Sequence, residues 1–118
     1  MASGYVIPWY ATSFRGDSFE AALQEIAPVA LRYGATHWTI YRMLDDGYKF
    51  QQFSLFEDKG DFELYWNGPE FGDWRAMYSS WYTVPVVPSP MRLVNEGHLG
   101  PEANGNGGAG VSPARAEP

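Results

Sequence analysis

The stretch Asp61-Phe62-Glu63-Leu64-Tyr65-Trp66-Asn67-Gly68-Pro69-Glu70-Phe71-Gly72-Asp73-Trp74-Arg75-Ala76-Met77-Tyr78-Ser79-Ser80-Trp81-Tyr82 holds eight of the chain's aromatic residues, which number five Trp, eight Tyr and seven Phe in all. Its spacing is helical. Phe62 and Tyr65 fall near one face with Trp66 beside them, and Phe71, Trp74 and Tyr78 share a stripe. Gly68-Pro69 divides it into a first piece over 61–67 and a second that opens on Pro69 and runs to about Ser80, because proline is tolerated at a first helical position.

Outward from this segment the pattern changes to strands. Tyr5 to Phe14 is rich in β-formers and reads as the first strand, with a bulge or an unpaired position expected at Pro8. Asp17 and Glu20 have capping-box spacing and open a helix over 18–33, with Gly34 just past its end. Phe19, Leu23, Ile26, Ala30 and Tyr33 form its apolar stripe, and Pro28 predicts a kink. Thr36 to Leu44 and Tyr48 to Phe56 form a hairpin about Asp45-Asp46-Gly47. Val84 to Val94 is the last strand, and Pro85, Pro88 and Pro90 confine it to a sheet edge.

The order strand, helix, strand, strand, helix, strand is the split βαβ arrangement, an α+β ferredoxin-like fold with an antiparallel four-stranded sheet. In that topology the first and third strands are central, and the proline-bearing fourth falls where proline is allowed. Helices cover one face of such a sheet. Here both faces are apolar: Tyr5, Ile7 and Trp9 oppose Val6, Tyr10 and Phe14, Trp38 and Ile40 oppose Tyr41 and Met43, and Tyr48, Phe50 and Phe56 oppose Phe53 and Leu55. An uncovered face of this kind exceeds the apolar patches normal for monomers, so a homodimer through the open face is expected.

Length and composition bound the rest. At 118 residues the chain is one domain, over 1–97, followed from His98 by a Gly-, Pro- and Ala-rich stretch to 118 with too little apolar area to order itself, read as a flexible tail. Eight basic against fourteen acidic residues give a net charge of -6, which argues against binding nucleic acid. There is no cysteine, so disulfides, thiolate metal sites and a cysteine nucleophile are excluded. No apolar run reaches the roughly 20 residues of a membrane span, and no leader peptide is evident, so a cytoplasmic protein without a membrane partner is expected.

The residues Tyr65-Trp66-Asn67-Gly68-Pro69-Glu70-Phe71, followed by Trp74-Arg75, resemble the broken second helix of the dimeric α/β-barrel superfamily, in particular the antibiotic-biosynthesis-monooxygenase-like proteins. The likeness covers about residues 4–97. It implies two subunits packed sheet to sheet and a pocket in each between sheet and helices. The family hosts several activities, among which fold does not select. Its haem-degrading branch needs a histidine on the second helix; none lies between Asp61 and Tyr82, and His37 and His98 have no metal-ligand spacing.

The resemblance to members that oxygenate phenols implies no metal or flavin cofactor. Such a site must hold a substrate anion, exclude water and supply donors to developing oxyanions. Trp66, Asn67, His37 and Arg92 are the candidate catalytic residues, and Trp9, Tyr65, Phe71, Trp74 and Tyr78 the candidate contacts for a small aromatic or polyketide-like molecule. Each also has a structural reading. Phe71 and Trp74 fit a packed core, Asn67 a helix cap, and His37 a hydrogen-bonded edge position. The alternative to an enzyme is therefore a non-catalytic homodimeric ligand-binding or assembly module of the same fold.

Overall fold

A computed structural model describes residues 2–100 of the chain. Strand β1 spans Ser3–Tyr10, helix α1 Gly16–Ile26, strand β2 Ala35–Arg42, strand β3 Lys49–Phe56, helices α2 and α3 Asp61–Trp66 and Pro69–Met77, and strand β4 Ser89–Arg92. The sheet is antiparallel with strand order β2-β3-β1-β4, so β1 and β3 are central as the split βαβ pattern requires. The fold is the expected α+β ferredoxin-like one.

Several boundaries differ from expectation for local reasons. The first strand ends at Tyr10, because beyond an isolated bridge between Ala11 and Tyr82 the chain turns, with Phe14 at φ 66°. Helix α1 starts at Gly16, and Asp17 does not cap it; its carboxylate and that of Glu20 instead accept from the Arg42 guanidinium at 2.9 and 2.8 Å. Pro28 does not kink a long helix. The α-helix ends at Ile26 and passes into a 3₁₀ helix over Ala27–Tyr33, in whose first turn Pro28 needs no N–H partner. Gly34 closes that helix in the left-handed region at φ 104°, as expected of a residue past a helix end. The hairpin forms, but with a connection over 43–48 that is wider than a two-residue turn. The last strand shrinks to four residues, leaving Pro85 and Pro88 outside it and only Pro90 on the edge. The stretch expected to be a tail lies outside the described residues beyond position 100.

Pairing register fixes the two faces. Ile7, Trp9, Phe50, Gln52, Ser54 and Phe56 lie beneath the helices and are buried. Against them pack Phe19 and Leu23 of α1, Phe62 and Tyr65 of α2, and Phe71 and Trp74 of α3, all buried. Trp9 is the hub, with ring centroids 5.0 Å from Tyr82, 5.3 Å from Trp74 and 5.5 Å from Phe19. All three are the edge-on arrangement that ring quadrupoles favour.

The other face carries Gly4, Val6, Pro8 and Tyr10 of β1, His37, Thr39 and Tyr41 of β2, Lys49, Gln51, Phe53 and Leu55 of β3, and Ser89 and Met91 of β4. No helix of the described residues covers it. Tyr41 is 60% exposed there, and Tyr10 and Met91 are also exposed. The sequence alternation is thus realised as one closed face and one open apolar face.

Candidate functional site

The candidate residues separate into two groups on opposite faces of the sheet. Trp9, Tyr65, Phe71 and Trp74 are core residues, and the polar atoms of three of them are engaged inside the protein. The Trp9 indole N–H donates to Gln52 Oε1 at 3.0 Å, and the Gln52 amide donates to the Tyr65 hydroxyl at 3.1 Å. The Tyr65 hydroxyl then donates to the Ile26 carbonyl at 2.7 Å, and the Trp74 indole donates to the Ala22 carbonyl at 2.8 Å. Burial pushes the Tyr65 pKa up. Trp9, Tyr65, Phe71 and Trp74 are thus packed in the core, with the polar atoms of three of them paired there.

The break between α2 and α3 carries Asn67, Trp66 and Arg75. Asn67 ends α2, with φ -95° and its N–H on the Glu63 carbonyl at 2.9 Å, and its side chain is exposed. Trp66 is half-buried. The Arg75 guanidinium lies 3.9 Å from its ring centroid and donates to its carbonyl at 2.8 Å, so Arg75 ties α3 back to the end of α2. Burial lowers the Arg75 pKa. Tyr78, just past α3 and half-buried against Trp74, donates to Glu25 at 3.0 Å, a hydrogen bond that raises its pKa.

His37 and Arg92 lie elsewhere. Both border a cavity of about 370 Å³ on the open face of the sheet. Its floor is Phe53, Leu55 and Met91, and Leu93 and Val94, just past β4, form one wall. Thr39, Asn95 and His37 supply polar groups at its margin. A volume of this size falls in the range of small-molecule sites, which are mostly apolar with a few polar groups.

Two local features build the cavity. The first is a bulge in β2. Ala35 pairs with Phe56 and His37 with Leu55, so Thr36 is an extra residue between them. Without it Ala35 and His37 would share a face. With it Ala35 is buried in the core and His37 turns to the open side, where its Nδ1 lies 2.8 Å from Thr36 Oγ1. Bulges commonly re-aim a side chain in this manner. The second is Gly4 on central strand β1. A side chain there would point between Leu55 and Met91, and its Cβ would meet both at ordinary contact, 3.8 and 3.6 Å. Gly4 leaves that space open, and a glycine within a strand often marks a close approach by a ligand or another chain.

Arg92 also reaches the helix side of the sheet. It pairs with Ser3, which in turn pairs with Phe56 of the buried face, so its side chain belongs to the helix side of the edge strand. It there borders a second depression with Glu57, Asp58 and Lys59. Among the described residues no group of three or more histidines and carboxylates gathers to hold a metal ion, and no helix is long and apolar enough to cross a membrane. Gly4, Thr39, Phe53, Leu55, Met91 and Asn95 were not singled out from the sequence. The alternation of β3 placed Phe53 and Leu55 on the open face, but no sequence signal marked the bulge at Thr36.

Comparison of the fold with solved structures finds matches spread over nearly the whole described chain. A putative antibiotic biosynthesis monooxygenase from Nitrosomonas europaea superposes with a TM-score of 0.71 at 15% identity, covering 81% of this chain and 94% of that one. Rv0793 from Mycobacterium tuberculosis gives 0.70 at 14% identity, covering 83% and 100%. SnoaB from Streptomyces nogalater, a cofactor-independent oxygenase, gives 0.69 at 14% identity, covering 80% and 95%. No protein-family model and no curated protein matches the sequence. At these identities the likeness establishes the fold, which is that of the antibiotic-biosynthesis-monooxygenase-like proteins.

Proposed function

We propose that this chain, built on the antibiotic-biosynthesis-monooxygenase-like fold, is a small oxygenase that acts on an aromatic or polyketide-like substrate with O2 and without metal or flavin, as a homodimer through its open sheet face. The observation that carries this reading is the 370 Å³ cavity with an apolar floor and an imidazole turned to its margin. The floor of Phe53, Leu55 and Met91 suits a flat ring system, and Thr39 and Asn95 suit its oxygen substituents.

The chemistry is that of an activated carbon acid. His37 takes a proton from the substrate, whose anion gives electrons to O2. For an anthrone the methylene becomes a carbonyl. One oxygen atom of O2 enters the product, and the other leaves as water with the two methylene hydrogens. The protein's part is to hold the anion, to exclude water and to position the proton acceptor. SnoaB, of the same fold, is described as a cofactor-independent oxygenase, which supports the reaction class.

Oxygen uptake by the purified protein with a panel of anthrones, quinols and catechols tests this. Uptake is expected with at least one anthrone, and His37→Gln should slow it roughly 100-fold, the scale of a lost general base. No uptake across the panel refutes the oxygenase, and unchanged uptake in His37→Gln refutes His37 as its proton acceptor. One observation favours the second reading, a non-catalytic ligand-binding or assembly module. The space between sheet and helices is filled by Trp9, Tyr65, Phe71 and Trp74 and leaves those aromatics no free polar role. That reading predicts ligand binding on the open face with no oxygen consumed.

A further inference from the structure

We infer that Thr36 is a positioning residue for His37: its hydroxyl accepts from the imidazole Nδ1–H and donates to the Leu55 carbonyl, which leaves Nε2 as the nitrogen that takes the substrate's proton. This rests on the reading of His37 as proton acceptor and adds which nitrogen acts and what holds it in that form.

The bulge gives Thr36 two tasks. As the extra residue between Ala35 and His37 it turns the imidazole to the open face. Its side chain then reaches both the ring and the neighbouring strand. Thr36 Oγ1 lies 2.8 Å from His37 Nδ1 and 3.4 Å from the Leu55 carbonyl oxygen. Leu55 belongs to the cavity floor, so one hydroxyl ties the imidazole to the strand it works above. Threonine is stiff at χ1, which limits how far that hydroxyl can wander. Among the described residues the hydrogen bonds of the His37 ring involve Nδ1 alone.

A hydroxyl gives one proton and can also accept. Two arrangements follow. In the first, Thr36 donates to Leu55 and accepts from Nδ1–H, and Nε2 carries a lone pair. In the second, Thr36 donates to Nδ1, the Leu55 carbonyl loses this donor, and Nε2 carries the proton. The first makes both contacts at once and the second only one. In the second, moreover, the ring's one lone pair is covered by Thr36, so His37 has no free nitrogen with which to accept.

The first arrangement also survives the reaction. When Nε2 takes a proton the imidazolium donates from both nitrogens. The bonds from Nδ1 to Thr36 and from Thr36 to Leu55 stay as they were. Nothing reorients at the moment of transfer, as a preorganised site requires. The proton then passes from Nε2 to the oxygen atom that leaves as water.

Thr36 and His37 are both exposed, so water competes for each bond and the effect of losing one is modest. Long-range proton–nitrogen NMR of the full chain, on the neutral imidazole at alkaline pH, distinguishes the two tautomers. His37→Gln assigns its signal against that of His98. The wild type should show mainly Nδ1–H. Thr36→Val keeps the branched shape and the length of the bulge and removes the hydroxyl. It should move the tautomer ratio roughly 5-fold toward Nε2–H, the worth of one hydrogen bond, and Thr36→Ser should restore it. Oxygen uptake should follow, with kcat about 2- to 5-fold lower in Thr36→Val and KM unchanged, because the ring in its other form holds substrate without turning it over. A wild type that is mainly Nε2–H, or unchanged tautomers in Thr36→Val, overturns the role of Thr36. Tautomers that shift while kcat stays at the wild-type value overturn it as well. The expected tautomers in a protein that consumes no oxygen support Thr36 as the group that orients His37 and refute the oxygenase instead.

Discussion

Replacing Gln52 by Leu tests the assignment of the helix-side aromatics to structure. Gln52 is 1% exposed and sits between two aromatic side chains, accepting from the Trp9 indole and donating to the Tyr65 hydroxyl. Leucine is similar in size and removes both bonds. The Tyr65 hydroxyl keeps the Ile26 carbonyl as its acceptor, so its proton stays satisfied. The Trp9 N–H does not, since Gln52 is its acceptor in the core. An orphaned buried donor costs about 1–3 kcal/mol, and the added apolar contact of leucine offsets part of this. The expected net loss is about 2 kcal/mol, a fall of roughly 8–16 °C in Tm for a domain of this size. Urea unfolding followed by circular dichroism, at one fixed protein concentration, measures it. Trp9→Phe made in the Gln52→Leu background removes the orphan, so the two changes should couple by about 1 kcal/mol or more instead of adding. A loss below about 0.5 kcal/mol, or simple additivity, would refute the argument that this relay satisfies the core.

Three further outcomes follow from the same geometry. Gly34→Ala forces a side chain into the left-handed conformation that ends the 3₁₀ helix and against the Asp61 carboxylate, and should cost at least about 1–2 kcal/mol by urea titration. The Tyr33 hydroxyl, hydrogen-bonded to Glu70, holds that carboxyl below its ordinary pKa. A depressed carboxyl contributes stability that is complete above its unfolded pKa and is lost as pH falls through the folded value. The acid-side loss of stability in a pH series should therefore be shallower in Tyr33→Phe than in the wild type, and parallel curves would contradict it. Burial raises the pKa of Tyr65, and that of Tyr82 as well, so their contribution is complete below the ordinary tyrosine value and declines as pH rises past it. Ultraviolet titration should show two tyrosines ionising only with alkaline unfolding, and all eight ionising freely in the native state would refute the burial argument.

The fold was legible because its signals are local and agree with one another. The alternation in β1 and β3, the Gly68-Pro69 break and the prolines near β4 each have one natural place in a split βαβ sheet. The site was legible only in part. Helical spacing gathers Trp66, Phe71 and Trp74 but cannot say whether a stripe of rings faces a core or a void, and here most of it faces the core. Asn67 could be a donor or a cap, and spacing beside a Gly-Pro break does not separate the two. His37 was found for its chemistry, but its direction depends on the extra residue at Thr36, and a bulge is set by pairing with a distant strand. Arg92 borders the open-face cavity from the edge strand, but the direction of its side chain depends on the register of a four-residue strand, which has too little alternation to be read in advance. Gly4 fell just outside the expected first strand, so the space it leaves had no sequence signature.

The central claim is that the functional surface is the open face of the sheet and not the aromatic helix side. Titrating isotope-labelled protein with alizarin and following backbone amide shifts tests it most directly. The account predicts that the largest shifts cluster at Gly4, His37, Phe53, Leu55 and Met91. Shifts centred instead on Trp66, Asn67 and Arg75, with the open-face amides unmoved, would contradict it.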